Sequence, residues 1–523
     1  MAAGRNGARA GGIALALGLL LGGCATNAVN MAPAAPDQPW GGRAGEHDLY
    51  MAQAEPAAPA APIADGQRRS SVPDFRVAPN PALADLPPPP ALDLRHAYKL
   101  PELIDIAQRN NPATRSAWER ARQAALAVGM VEATYLPLIT ANVVGGYQST
   151  SNALPVPLGT QRYFETTAEG VSPSIALQWL IFDFGQRMAV AGAAKQGSVA
   201  ANVLFNGAHQ KLIFDVTRTY YVYGASVART RIAREALANA RAIRAAAEGR
   251  LAEGLATTVE VAQARQQVAQ SELRRVQAEG QERDAYQGLL NAMGVTATLQ
   301  MKVADSAGRR LPEVSSVPTD AMIRLALAQR PDVMASYAAV KASQSGIDAA
   351  KAELLPKVFV AGAVATGNGS FNANGLPTIG QQATGTGVLV GATVPLYDAG
   401  LRAAQVKQAE SRAAAAEGTF RKVQSDAVAE IVAAGNALRT ALESYKAATA
   451  LASAAAITYD AAFDAYKTGL GTVTAATAAD TGLLDARQAQ AETHAAALIA
   501  AANLAFVVGA MTSSQNVPYL LSQ

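Results

Sequence analysis

At 523 residues the chain has room for two to four ordinary domains or one large architecture. Its 44 Lys and Arg against 41 Asp and Glu leave a net charge of +3, too near balance for a nucleic-acid-binding surface. Half of the residues are apolar but only 6% are aromatic, and alanine supplies much of the apolar content. Alanine is the best helix former and small enough to sit between close helices, so this composition favours long, closely spaced helices over a bulky core.

The chain opens with a targeting segment over residues 1–23. Arg5 and Arg9 precede an apolar run from Gly11 to Leu21, too short and wrongly flanked for a membrane-spanning helix. The run ends in "LGGC", Leu21 to Cys24, which resembles a bacterial lipobox: cleavage would fall before Cys24 and its thiol would be acylated. Cys24 is the one cysteine of the chain, with no disulfide partner and no metal role. The alternative is a plain secretory signal with an incidental cysteine. By the same resemblance, Ala25 in place of an aspartate favours the outer over the inner membrane. Residues 24–92 are rich in Pro and Ala, end in Pro87 to Pro90, and read as a lipidated tether, partly polyproline II. Folding is expected to begin near Asp93.

From there the chain repeats itself. Pro112 and Pro331 stand 219 residues apart in "NNPATRSA" and "QRPDVMAS", and Pro137 and Pro356 keep that offset. Asp183 in "IFDFGQR" and Asp398 in "LYDAGLR" stand 215 apart, as do Gly254 and Gly469, then Gly294 and Gly509. Two copies of one unit, 93–310 and 311–511, followed by a tail over 512–523, account for these landmarks. The length difference falls in one loop.

Each unit reads helix, strand, strand, long helix, long helix. In the first, Pro112 to Tyr135 is helical and Pro137 ends it. Ile139, Ala141, Val143 and Tyr147 then alternate with polar residues, and Val171, Ile175, Leu177, Trp179 and Ile181 do so again. That period of two over about ten residues, with an aromatic near the end, suits a membrane β-strand; a soluble hairpin with one buried face fits the same pattern. The second unit repeats it through Val358, Val360 and Val364, then Val388, Val390, Val394 and Leu396, around an expected polar, glycine-rich loop from Gly367.

Asp183-Phe184-Gly185 matches the magnesium-binding tripeptide of protein kinases. The second copy reads Asp398-Ala399-Gly400, however, and no phosphate loop or His-Arg-Asp catalytic loop occurs. Both aspartates end a strand-like run and open a helix-like one. Aspartate there satisfies free N–H groups, and Gly185 and Gly400 permit a tight turn. Beyond them, no proline interrupts Gln186 to Arg250 or Leu401 to Tyr466, and a continuous helix of that length would reach roughly 98 Å. The apolar run "AAALIAAANLAFVVGAM" reads as a packed bundle helix rather than a membrane span, given its alanines, Asn503 and the preceding His494. Four membrane strands cannot close a barrel, and an open sheet in lipid leaves unsatisfied edges, so such a chain must oligomerise. Two copies would give a filled eight-stranded barrel; three give twelve strands and a lumen.

These motifs, in this order and repeated, resemble the TolC-type outer-membrane efflux protein family (outer membrane factors of lipoprotein type), over roughly Asp93 to Ala510. "LQWLIFDFGQR", "VPLYDAGLR" and "YKTGLGTVTAATAADTGLLDARQAQAE" carry the likeness. It implies a mainly α fold with membrane β: a homotrimer with a 12-stranded β-barrel and a long periplasmic α-helical barrel. Its partners would be outer-membrane lipid, a periplasmic adaptor and an inner-membrane pump or ABC exporter, with no cofactor. The tip turns Gly254-Leu255 and Gly469-Leu470 would dock the adaptor. Some relatives close the duct with aspartates six and nine residues after the second tip glycine. Here those positions are Ala475 and Ala478, and Glu260 and Asp480 are the acidic candidates left for a constriction.

A passive exit duct for efflux is therefore the leading expectation, with type I protein or polysaccharide secretion as its variant. An enzyme is disfavoured: His47, His96, His209 and His494 are scattered singly, with no nucleophile elbow or metal-ligand cluster. The remaining alternative is a lipid-tethered periplasmic coiled coil with soluble hairpins.

Overall fold

The computed structural model describes residues 79–83, 90, 92–158, 161–306, 308–312, 320–373 and 377–511. The expected signal segment, Cys24, nearly all of the tether and the 512–523 tail lie outside them. Before residue 89 the described regular structure is one 3-10 turn, Pro81–Leu83. The rest belongs to a unit spanning Pro89–Gln523.

Both repeats have the same element order. The first comprises α1 (Leu100–Asn110), α2 (Pro112–Ala133), β1 (Leu138–Leu158), β2 (Gln161–Phe182), α3 (Gln186–Ala252) and α4 (Thr258–Met293). The second comprises α5 (Asp320–Gln329), α6 (Pro331–Ala352), β3 (Lys357–Ala373), β4 (Ile379–Thr393), α7 (Leu401–Thr468) and α8 (Val473–Val507). Each unit thus has one helix more than the sequence reading assigned. Helices as short as α1 and α5 are marginal by themselves. Packing holds α1, whose Leu103 and Ala107 are fully buried with Leu289, Leu290 and Met293 of α4.

The joints explain why Pro112, Pro331, Gly294 and Gly509 recur. Pro112 and Pro331 open α2 and α6, where the missing N–H costs nothing. Before each proline a side chain reaches the end of that repeat's last helix: Asn111 Nδ2 donates to the Ala292 carbonyl at 3.0 Å, and Arg330 Nη1 to that of Val507 at 3.1 Å. Gly294 takes φ 71°, and a Cβ there would stand 2.8 Å from Asn111 Cα. Arg330, 8% exposed, also pairs with Asp332 at 2.6 Å and Glu430 at 2.7 Å. Burial alone would raise the Asp332 carboxyl, but the Arg330 guanidinium overcomes it and holds the group below the usual range.

The four long strands form one antiparallel sheet in the order β1-β2-β3-β4, with β2 and β3 joining the repeats. Ile175 faces Val364 and Leu177 faces Gly362 across that seam. The strands are longer than the apolar alternation indicates, because the ladder continues through polar residues such as Ser149 to Ser151. For the same reason the glycine-rich stretch from Gly367 is not a loop: it pairs as β3 and β4, leaving a short connection between Ala373 and Ile379. Gly369 lies opposite Gly170 so closely that a Cβ on Gly170 would be 2.6 Å from the Asn368 carbonyl oxygen.

Helices α3 and α7, 67 and 68 residues, run unbroken as expected, roughly 100 Å each. They turn back as α4 and α8, and α8 packs against α3, so the two hairpins lie side by side within one chain. The apolar run in α8 buries Ala497, Leu498, Ala501 and Leu504 in the bundle. Among the described residues no helix is long and apolar enough to cross a membrane.

Candidate functional site

Two regions carry the sequence-derived candidates: the strand-to-helix turns and the helical tips. At the first turn Phe184 and Gly185 take φ 51° and 91°, the left-handed pair that reverses the chain between β2 and α3. Asp183 Oδ1 accepts from the Gly185 N–H at 3.3 Å and Oδ2 from the Arg187 N–H at 3.0 Å. The second turn repeats this at Ala399 and Gly400, φ 54° and 85°, with Asp398 accepting from Gly400 and Arg402 N–H at 3.0 and 3.2 Å. Both aspartates therefore cap helices.

Asp183 has a further partner in Arg187. Arg187 Nε lies 2.7 Å from Asp183 Oδ2, while Nη1 and Nη2 donate to the Thr134 and Ile181 carbonyls at 2.8 and 3.2 Å. The guanidinium also stacks 4.7 Å over the Tyr135 ring. One arginine thus ties the ends of α2 and β2 to the start of α3, in a pair whose side chains are only 11% and 7% exposed. Arg402 repeats the ion pair at 3.0 Å, at 30% and 26% exposure. The signal was present in "DFGQR" and "DAGLR", where arginine follows aspartate by four residues both times.

At the tips, α3 stops at Gly254, φ 74°, and α7 at Gly469, φ 84°. The Leu255 and Leu470 N–H groups donate back to the Arg250 and Ala465 carbonyls at 2.8 and 2.9 Å, the bonding of glycine-terminated helices. Thr257 and Thr472 then cap α4 and α8. Leu255 and Leu470 are left 62% and 89% exposed. Arg250 joins the two turns, donating to the Tyr466 carbonyl at 3.1 Å and the Leu255 carbonyl at 3.2 Å and lying 5.3 Å over the Tyr466 ring. Its counterpart in the second repeat is Ala465, and that departure from the repeat was the one available clue.

The acidic candidates do not form a common constriction. Glu260 stands half-exposed in the first turn of α4, its backbone capped by Thr257. Asp480 is 1% exposed, inside the packing of the two hairpins, with Gln267 Nε2 at 3.4 Å. A charged ring needs carboxylates open to the duct, and Asp480 is not. Burial pushes its carboxyl up, only partly opposed by Asn239, Gln267 and Arg274. Ala475 and Ala478 are exposed but uncharged.

A duplicated unit that builds one open four-stranded sheet and two long helical hairpins defines a channel-type subunit. The outer membrane efflux protein model matches residues 103–295 and 322–510, and the chain belongs to that family. It is 25% identical to Protein CyaE of Bordetella pertussis over 423 residues, spanning 80% of this chain and 86% of that one. It is also 25% identical to the outer membrane protein OprJ of Pseudomonas aeruginosa over 346 residues, 65% and 70% of the two chains. The Campylobacter jejuni CmeC outer membrane channel superposes with a TM-score of 0.66 at 18% identity, covering 81% of this chain and 88% of that structure. The family places the protein in the outer membrane.

Proposed function

We propose that three copies of this chain form a passive exit duct in the outer membrane for an efflux or secretion system. The observation that carries this reading is the four-stranded sheet, whose edges β1 and β4 have no strand partner among the described residues. Exposed backbone edges are excluded from lipid, so β4 of one copy pairs with β1 of the next. Twelve strands leave a lumen, and the long helices continue it into the periplasm. The protein has no energy-coupling step of its own in this reading; an inner-membrane pump or ABC exporter drives transport through a periplasmic adaptor. The exposed leucines of the tip turns, Leu255 and Leu470, offer that adaptor apolar contacts. Acylated Cys24 anchors each copy in outer-membrane lipid.

The repeat supplies the register between copies. Carrying the β2–β3 seam forward by the repeat offsets puts Ala392 opposite Val143 of the next copy, as Leu177 faces Gly362. With cysteines at both positions, mild oxidation is expected to give a covalent ladder ending at three chains. Single-channel recordings of the trapped species should keep their conductance. A protein that forms no ladder, and leaves the membrane without detergent once Cys24→Ser is introduced, is a tethered coiled coil instead.

A further inference from the structure

Asp480 is a buried acidic residue poorly matched to its surroundings. It lies in the seam between the two helical hairpins, where Ile243, Val261, Ala264, Tyr459 and Leu483 form an apolar cluster. The residue is 1% exposed, and Oδ1 has no hydrogen-bond partner. Oδ2 has one long contact, 3.4 Å from Gln267 Nε2 of α4, and that amide is shared with Thr481 Oγ1 at 3.2 Å. Asn239 of α3 also donates towards the carboxyl and favours its charged form, yet Oδ1 stays without a well-formed bond. One turn beyond Gln267, the buried Ser271 Oγ is also without a partner.

The charged and titratable groups around it do not compensate an anion. Arg274 of α4 is the cation whose charge reaches the carboxyl, and no hydrogen bond joins them. From α7, Tyr459 and the neighbouring Asp460 contribute no positive charge. The Tyr459 hydroxyl is itself pushed up to about 12, by burial first and then by Asp480 and Asp460. A buried carboxylate whose donors leave one oxygen unpaired is unfavourable in a protein interior, whereas a neutral carboxyl there is tolerated.

We propose that Asp480 is a proton-sensitive spacer that holds the α3–α4 and α7–α8 hairpins together when neutral and loosens their seam when ionised. The direction follows from linkage. A carboxyl that binds its proton more tightly in the closed seam than in the opened one stabilises the closed form at low pH. That stabilisation is lost as pH rises from the ordinary carboxyl range through the raised value of the buried group. The opening constant therefore climbs up to about tenfold per pH unit across that window and then levels off. The periplasmic half of each protomer would be tightest in acid.

Hydrogen exchange of the full-length protein in detergent tests this without requiring transport. Peptides from 261–275 and 473–490 are followed from about pH 4 to about pH 8, with rates normalised to the chemical exchange rate. Wild-type protection is expected to fall, at up to about tenfold per pH unit, and then plateau. Asp480→Asn, nearly isosteric, should hold the acid level of protection throughout. Gln267→Leu removes one of the two donors that favour the charged form, so its fall should move to higher pH. Unchanged pH dependence in Asp480→Asn overturns the proposal, as does a wild type whose protection is flat.

Discussion

Replacing Arg187 with methionine should destabilise the assembled protein far more than the same change at Arg402, although the two residues occupy equivalent positions. Arg187 makes an ion pair at 2.7 Å and two further hydrogen bonds, to the Thr134 and Ile181 carbonyls. Its side chain and that of Asp183 are 11% and 7% exposed. Methionine fills similar space but leaves the carboxylate with only the Gly185 and Arg187 backbone donors. Breaking a buried pair from one side costs about 3–5 kcal/mol, and the two surviving N–H donors argue for the lower end, about 3 kcal/mol. That corresponds to roughly a hundredfold in the folding equilibrium. At Arg402 the pair is 30% and 26% exposed, and solvent replaces what the substitution removes, so the loss is much smaller. The thermal midpoint of oligomer dissociation, read from heat-modified gel mobility, compares them directly. Adding Asp183→Asn to Arg187→Met should recover part of the loss, because no uncompensated charge remains buried. Equal losses at the two arginines, or no recovery in the double variant, would refute the reasoning.

The tips provide two further tests. Arg250→Ala removes the donor that ties the Tyr466 and Leu255 carbonyls, about 1–2 kcal/mol of local stability. Limited proteolysis should then cut near 253–257 and 468–472 faster while the dissociation midpoint holds; a lowered midpoint with unchanged tip cleavage would place its role elsewhere. Leu470→Asp puts a charge at a site 89% exposed, so folding should be unaffected. Under the duct reading it should abolish crosslinking to the adaptor, and full retention of adaptor capture would remove this leucine from the docking contact.

Much of the protein was legible without coordinates, because its decisive features are local or repeated. The absence of proline over Gln186 to Arg250 dictates an unbroken helix, and period-two alternation dictates strands, since each depends on residues a few positions apart. Duplication then turned weak motifs into a strong pattern: Asp398-Ala399-Gly400 disposed of a magnesium site at Asp183. Elements stabilised by distant contacts were not legible. Helix α1 exists because α4, almost 200 residues later, covers Leu103 and Ala107. The glycine-rich stretch from Gly367 pairs as strand because Gly170 accepts its close approach.

The same division holds for the candidate sites. Glycine stops and aspartate caps use their own neighbours, so the sequence by itself determined the turns at Asp183, Asp398, Gly254 and Gly469. Arg187 and Arg250 act on carbonyls 53 and 216 residues away, and only the tertiary structure decides what a long side chain reaches. Asp480 makes the same point. Spacing along the chain made it a constriction candidate, but the packing of two hairpins turned it inward, where low polarity rather than position sets its chemistry.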